Sequence, residues 1–207
     1  MIEQRSDEWF GQRAGKFTGS TFNDLFAVSK KDGKPLKAYQ DLIWRVATER
    51  FTGEPTESAT GSALQWGTDV EPYAKEAYEF ETGNLVIDVG FVTHEKYDFC
   101  GASPDGIIGG DHGVEFKCPK SSSIHLSRFI SQIVPDEYVA QVQGCMWVTG
   151  RGSWDFVSYD PRMPESHRIL IVPVKRDPSF IVQLESAVLA AEEQVKRLVE
   201  QLHKKAA

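Results

Sequence analysis

Two short stretches, Ser103-Pro104-Asp105-Gly106 and Val114-Glu115-Phe116-Lys117-Cys118-Pro119, constrain this chain more than anything else in it. Pro-Asp-Gly is turn chemistry: proline pre-sets φ, aspartate bonds back to its own backbone, and glycine takes conformations that other residues avoid. Beyond the turn, Ile107-Ile108, a Gly109-Gly110-Asp111 break and residues 113–118 form a pattern that reads as a β-hairpin. Alternation along the second strand sends Glu115 and Lys117 to one face and Phe116 to the other. The turn can therefore bring Asp105 beside Glu115, so that two carboxylates and one ammonium converge at a strand end.

Two converging carboxylates are what a hard divalent cation requires, and Mg²⁺ keeps its other positions for water and substrate phosphate. A lysine beside the pair can orient or help deprotonate an attacking water and offset charge on phosphoryl oxygens. The bland alternative is a surface Glu-Lys pair on an edge strand, next to an aspartate chosen for its turn. Glu71 lies two helical turns from Tyr78 on a face that also carries Ala74, either aimed at a metal or solvated like Glu76, Glu79 and Glu81. Gln141 and Gln143 fall in the largely apolar run from Tyr138 to Trp147, where a buried amide needs a partner, structural or functional.

Periodicity predicts helices opening at Ser6 and near Ser20, then over 38–51, 63–81, 122–133, 136–149 and 178–205. Strands are predicted over 84–93, 99–102, 107–108, 113–118, 150–160 and 167–174, with a lysine-rich loop at 29–37 and a Gly/Thr/Ser/Pro connection at 52–62. With 41% hydrophobic and 26% charged residues, 207 residues suffice for one α/β domain, 1–207, with a mixed central β-sheet flanked by helices. No apolar run of about 18 residues exists to cross a membrane. Met1-Ile2-Glu3-Gln4-Arg5 lacks the pattern of a signal peptide, and Cys100, Cys118 and Cys145 have neither paired nor metal-type spacing, so a reduced cytoplasm is expected. A net charge of -7 on its face opposes a nucleic-acid partner, yet it says nothing about where the positive charge gathers.

The set Trp9-x3-Arg13, Thr18-x-Ser20, Trp66-Gly67-x3-Glu71, Ser103-Pro104-Asp105-Gly106, Glu115-x-Lys117-Cys118-Pro119, Gln141-x-Gln143-x3-Trp147 and Tyr159-Asp160-Pro161-Arg162-Met163 resembles the phage lambda exonuclease and YqaJ-like viral recombinase family. That family belongs to the restriction-endonuclease-like nucleases, whose signature is P-D, a spacer, then D/E-x-K. The resemblance implies a restriction-endonuclease-like core and an ATP-independent, Mg²⁺-dependent exonuclease. Such an enzyme degrades the 5′-ended strand of linear double-stranded DNA and leaves a 3′ single-stranded tail for recombination.

Carried over by position, Asp105, Glu115 and the Phe116 carbonyl would hold metal, and Glu71 would complete a second site. Mn²⁺ would be able to stand in for Mg²⁺. Lys117 would serve the attacking water with support from Gln141. Arg13 and Ser20 match positions that bind the terminal 5′-phosphate, a role suited to a guanidinium fork and a hydroxyl at a helix start. Leu64 matches an apolar wedge between the strands. Lys30, Lys31, Lys34 and Lys37 match a loop that grips duplex downstream, although such a loop is usually only solvated. The resemblance also implies a ring-shaped homotrimer, a single-strand annealing protein as partner, and a phage or prophage origin in a bacterial host.

Rival readings are a related endonuclease or single-strand nuclease, and a non-catalytic DNA-end-binding module. An end-specific Arg13/Ser20 pocket argues against the first, and the retained Asp105, Glu115 and Lys117 against the second. Three scattered cysteines are too few for an iron-sulfur cluster, and no orienting triad surrounds Cys118 or Cys145.

Overall fold

The structure is a computed structural model that describes residues 4–56 and 61–206. Met1–Glu3 and residues 57–60, the middle of the Gly/Thr/Ser/Pro connection, lie outside the described residues. The chain opens with α1 (Asp7–Arg13), β1 (Phe17–Thr18) and a 3-10 helix (Gly19–Phe26), followed by α2 (Lys37–Thr52) and α3 (Ser62–Thr82). Next come β2 (Val92–Thr93), β3 (Cys100–Ala102), β4 (Gly106–Ile108) and β5 (His112–Lys117). The order then alternates through α4 (Ser122–Ser131), α5 (Asp136–Thr149), β6 (Ser153–Tyr159), β7 (Ile169–Lys175) and α6 (Pro178–Ala206).

The expected hairpin is present: β4 pairs antiparallel with β5, with Gly106 opposite Val114. β5 then runs parallel to β6, and β6 antiparallel to β7, giving a mixed four-stranded sheet in the order β4-β5-β6-β7. The remaining strands form a separate three-stranded sheet, β1-β3-β2, so the expected central sheet comes in two pieces joined through the Ser103–Asp105 turn. Ser6 caps α1 as expected, accepting the backbone N–H of Trp9.

The strand expected over 84–93 is reduced to Val92–Thr93 and an isolated bridge between Ile87 and Ile107. Leu85 and Ile87 are exposed, and the N–H of Val86 is taken by the Glu79 carboxylate at 2.8 Å, so the apolar alternation there meets the sheet only at that bridge. The helix expected near Ser20 is a 3-10 turn closed by reciprocal bonds between Thr18 and Thr21.

Two apolar cores lie on opposite sides of the four-stranded sheet. Val114, Phe116, Val157 and Tyr159 pack with Val70, Ala74 and Tyr78 of α3, whereas Trp154 and Phe156 belong to the larger core with α2, α5, α6 and the 3-10 helix. Full burial of side chains as large as Tyr78, Trp154 and Phe156 stabilises by roughly 2 kcal/mol each. Glycine permits the closest approaches. A Cβ at Gly144 would stand 2.2 Å from the Phe22 ring, and one at Gly106 would stand 2.1 Å from Val86. These two positions press α5 onto the 3-10 helix and hold the strand that follows Asp105 tight. Among the described residues no helix is long and apolar enough to cross a membrane.

Candidate active site

Strand alternation turns Glu115 and Lys117 away from α3 and toward α5, while Phe116 meets Tyr78 edge-on with ring centroids 5.8 Å apart. Glu115 is 1% exposed. Its Oε1 accepts from Lys117 Nζ at 2.5 Å and from the side-chain amide of Gln141, while Oε2 is buried with no hydrogen-bond partner. Asp105 stands against the same strand, its carboxylate accepting the N–H of Phe116 at 2.7 Å. The turn and strand thus bring together the two carboxylates and the lysine anticipated from the sequence.

Burial, followed by the charge of Glu115, pushes the Asp105 carboxyl well above its usual range. Glu115 is also raised by burial, against the opposing pull of Lys117. Burial alone would lower Lys117, but Glu115 and Asp105 outweigh it and hold the ammonium above its ordinary value. Two carboxylates in a low-dielectric site with an unpartnered oxygen are an electrostatic deficit that a divalent cation would relieve. Among the described residues no group of three His, Cys, Asp or Glu side chains stands in metal-binding geometry. Glu71, the third carboxylate expected, instead meets Arg5 at 2.8 Å.

The other end of the cleft is built differently. Arg13 stacks over Trp9 with its guanidinium carbon 4.1 Å from the ring centroid. It donates to Ser103 at 2.9 Å, Ser20 at 3.1 Å and Thr18 at 3.3 Å, and Trp9 Nε1 also donates to Ser103 at 3.0 Å. These partners are hydroxyls, and no carboxylate lies within ion-pair distance of Arg13 among the described residues. Burial, then repulsion from Arg45, lowers its affinity for its proton toward about 10. A desolvated cation ringed by hydroxyls is prepared for an anion from outside.

A cleft of about 650 Å³ joins the two ends, and its lining includes Arg13, Ser20, Leu64, Glu71, Asp105, Glu115, Phe116, Lys117 and Gln141. Leu64 is 55% exposed at its rim. Lys30, Lys31, Lys34 and Lys37 do not line it; Lys34 and Lys37 are paired with Asp32 and Asp41. Gln143 is satisfied elsewhere, by the carbonyl of Lys175 and the N–H of Asp177. Cys118 lines the cleft, but burial pushes its thiol up to about 12, leaving little thiolate.

Ser103, Arg5, Arg128 and Tyr138 are among the cleft residues to which sequence reasoning gave no site role. Ser103 carries only a turn signal, although the hydroxyl that Arg13 shares with Trp9 could have been sought there. Arg5, Arg128 and Tyr138 carry no spacing signal, because their place depends on how the N-terminal segment, α4 and the start of α5 pack.

Residues 8–152 match the profile of the YqaJ-like viral recombinase domain. The chain is 24% identical over 149 residues to the uncharacterized protein YqaJ of Bacillus subtilis, covering 72% of this chain and 44% of that protein. It therefore spans less than half the length of that relative. Among solved structures it is similar to LHK-Exo, an alkaline exonuclease from Laribacter hongkongensis, at 33% identity and a TM-score of 0.88, covering 97% of this chain and 98% of the other. A phage-related exonuclease from Haemophilus somnus shares the fold at a TM-score of 0.72 and 15% identity, covering 90% of this chain and 96% of the other. The α/β fold is that of the restriction-endonuclease-like nucleases.

Proposed function

Because the chain belongs to the YqaJ-like viral recombinase domain family, we propose that it is a Mg²⁺-dependent 5′-to-3′ exonuclease acting on linear double-stranded DNA. It leaves a 3′ single-stranded tail for annealing-type recombination. The observation that carries this reading is the two-ended cleft, with a buried carboxylate pair and lysine at one end and an unpaired arginine among hydroxyls at the other. The likeness to an alkaline exonuclease, also solved with dAMP, supports a nuclease that releases mononucleotides.

The donor set is all hard oxygen, which fits Mg²⁺ or Mn²⁺. Asp105, Glu115 and the Phe116 carbonyl would hold one ion, and Glu71 would serve a second on leaving Arg5. When bound, such ions lower the pKa of a coordinated water and stabilise charge on the phosphoryl oxygens. Lys117 donates to Glu115 and lies where it can orient the attacking water, and Gln141 fixes the Glu115 carboxylate from α5. Arg13, Ser20 and Ser103 receive the terminal 5′-phosphate, which sets the distance from the end to the scissile bond. Leu64, exposed at the rim, parts the terminal base pair.

The assembly in this proposal is a homotrimer whose subunits gather positive charge along a central channel, with a single-strand annealing protein as its partner in the bacterial cytoplasm. Linear duplex labelled separately at each 5′ and 3′ end, with closed circles beside it, tests the reading in Mg²⁺ and in EDTA. Loss of the 5′-ended strand alone, with circles intact and EDTA silent, is expected. Nicked circles would instead establish the endonuclease alternative, and binding without cleavage the end-binding module.

A further inference from the structure

Arg128, on α4, is 6% exposed, yet it is not neutralised as buried arginines usually are. Its Nη2 donates to the Tyr138 hydroxyl at 3.2 Å, and Nη1 is buried with no hydrogen-bond partner. The nearest carboxylate, on the exposed Glu137, is 4.0 Å away, too far for a hydrogen bond. The guanidinium rests on the rings of Tyr138 and Phe156 at 5.1 and 5.8 Å, and the residue lines the cleft. One guanidinium nitrogen buried without a partner and another donating only to a neutral hydroxyl are a poor exchange for stability alone.

A chain of contacts links this cation to the reacting centre. Arg13 touches Ser103, two residues before Asp105; Asp105 accepts from Phe116, between Glu115 and Lys117. Lys117 Nζ lies 5.0 Å from the centroid of the Tyr138 ring, whose hydroxyl meets Arg128. The carboxylate pair thus stands between Arg13 and Arg128 in one chain of contacts along the cleft that both arginines line.

We infer that Arg128 and the Tyr138 hydroxyl form a second phosphate subsite. It takes the phosphodiester between the second and third nucleotides of the strand being degraded, one linkage beyond the scissile bond. The inference rests on the proposed exonuclease reading, which supplies the direction of the strand from Arg13. Its consequence is register: with a phosphate held on each side, the scissile bond lies over Asp105 and Glu115 at every step. A guanidinium with unused donors suits a phosphodiester, because its fork can meet two oxygens at once.

The test measures binding of 5′-phosphorylated duplex in EDTA, where nothing is cut, with single methylphosphonate linkages placed in turn along the 5′-ended strand. For the unmodified protein, neutralising the second linkage from the 5′ end is expected to weaken binding about tenfold or more, and neutralising the fifth is expected to matter far less. Arg128→Gln should bind the all-phosphate duplex as weakly as the unmodified protein binds the second-linkage methylphosphonate, and should no longer distinguish the two. Arg128→Lys should restore part of the discrimination. A scan in which the unmodified protein still prefers a 5′-phosphate over a 5′-hydroxyl but ignores the second linkage overturns the Arg128 subsite and leaves the exonuclease reading standing. Indifference to the 5′-phosphate itself overturns the parent reading instead. Because the scan of the unmodified protein needs no substitution, a poorly folded Arg128→Gln would not protect the inference.

Discussion

Lys117 and Arg13 are both buried cations facing one cleft, and their surroundings are opposite. Lys117 is held by Glu115 and Asp105, which raise its hold on the proton, whereas Arg13 stacks on Trp9 and donates to the hydroxyls of Ser20, Ser103 and Thr18, and burial loosens its hold. A cation already compensated by acids does little to attract a further anion; its value lies in a fixed position beside a reacting group. A desolvated cation facing only neutral dipoles gains most when an anion arrives. In the proposed reading the same formal charge therefore serves chemistry at one end and recognition at the other.

That contrast breaks first at Lys117. Lys117→Ala is expected to lower the cleavage rate by at least about 10²–10³-fold, the usual cost of one preorganised electrostatic group, while duplex binding in EDTA stays within a few-fold. Arg13→Ala should do the reverse in kind and less in size. Its affinity for 5′-phosphorylated ends should fall about ten- to hundredfold, toward that for 5′-hydroxyl ends, with cleavage of bound DNA less affected. Equal losses of binding and turnover in both variants would dissolve the distinction.

The two ends were not equally legible. Asp105, Glu115 and Lys117 could be found because a Pro-Asp turn and a period-2 strand fix side-chain direction locally, within a hairpin. Gln141 reached the same centre from α5, where only apolar periodicity announced a buried amide with a partner to find, and Gln143, two residues on, proved to be tied to the β7 end. Ser103 and Arg128 depend on contacts between elements far apart in sequence, and so does the pairing of Glu71 with Arg5. The strand expected over 84–93 failed for the converse reason, since alternation describes a surface that fits a sheet without ensuring that a sheet is there.

The carboxylate end also makes a prediction about pH. An acid whose folded pKa lies above its unfolded value binds more protons when folded, so the stability it lends is present at low pH and lost as pH rises through the folded pKa. Asp105 is raised by burial and by Glu115, and its ionisation at neutral pH therefore works against the fold. Asp105→Asn keeps an oxygen for the Phe116 N–H and removes the charge. In EDTA at pH 7 it should be more stable by about 1 kcal/mol, an advantage that shrinks on acidification. The gain should reverse in excess Mg²⁺ if Asp105 is a ligand. Thermal melts across pH, with and without the ion, measure both, and a variant less stable in EDTA at every pH would contradict the electrostatic picture.

The smallest effect belongs to cations outside the cleft. Lys30, Lys31, Lys34 and Lys37 share neither the acid-held setting of Lys117 nor the hydroxyl ring of Arg13: they are exposed, and two of them are already paired, Lys34 with Asp32 at 3.1 Å and Lys37 with Asp41. An exposed lysine contributes to duplex binding chiefly by releasing a counterion, with a slope of about 0.9 in log affinity against log salt for each phosphate neutralised. If all four touched DNA, K30A/K31A/K34A/K37A would flatten that slope by nearly four. Since an acid beside two of them holds much of their charge in place, a change of about two is expected, with the rate of cleavage of bound DNA unaltered. A full change of four would mean that duplex draws Lys34 and Lys37 off their aspartates, making the loop a binding element of the same kind as Arg13. No change would leave end recognition to the cleft alone.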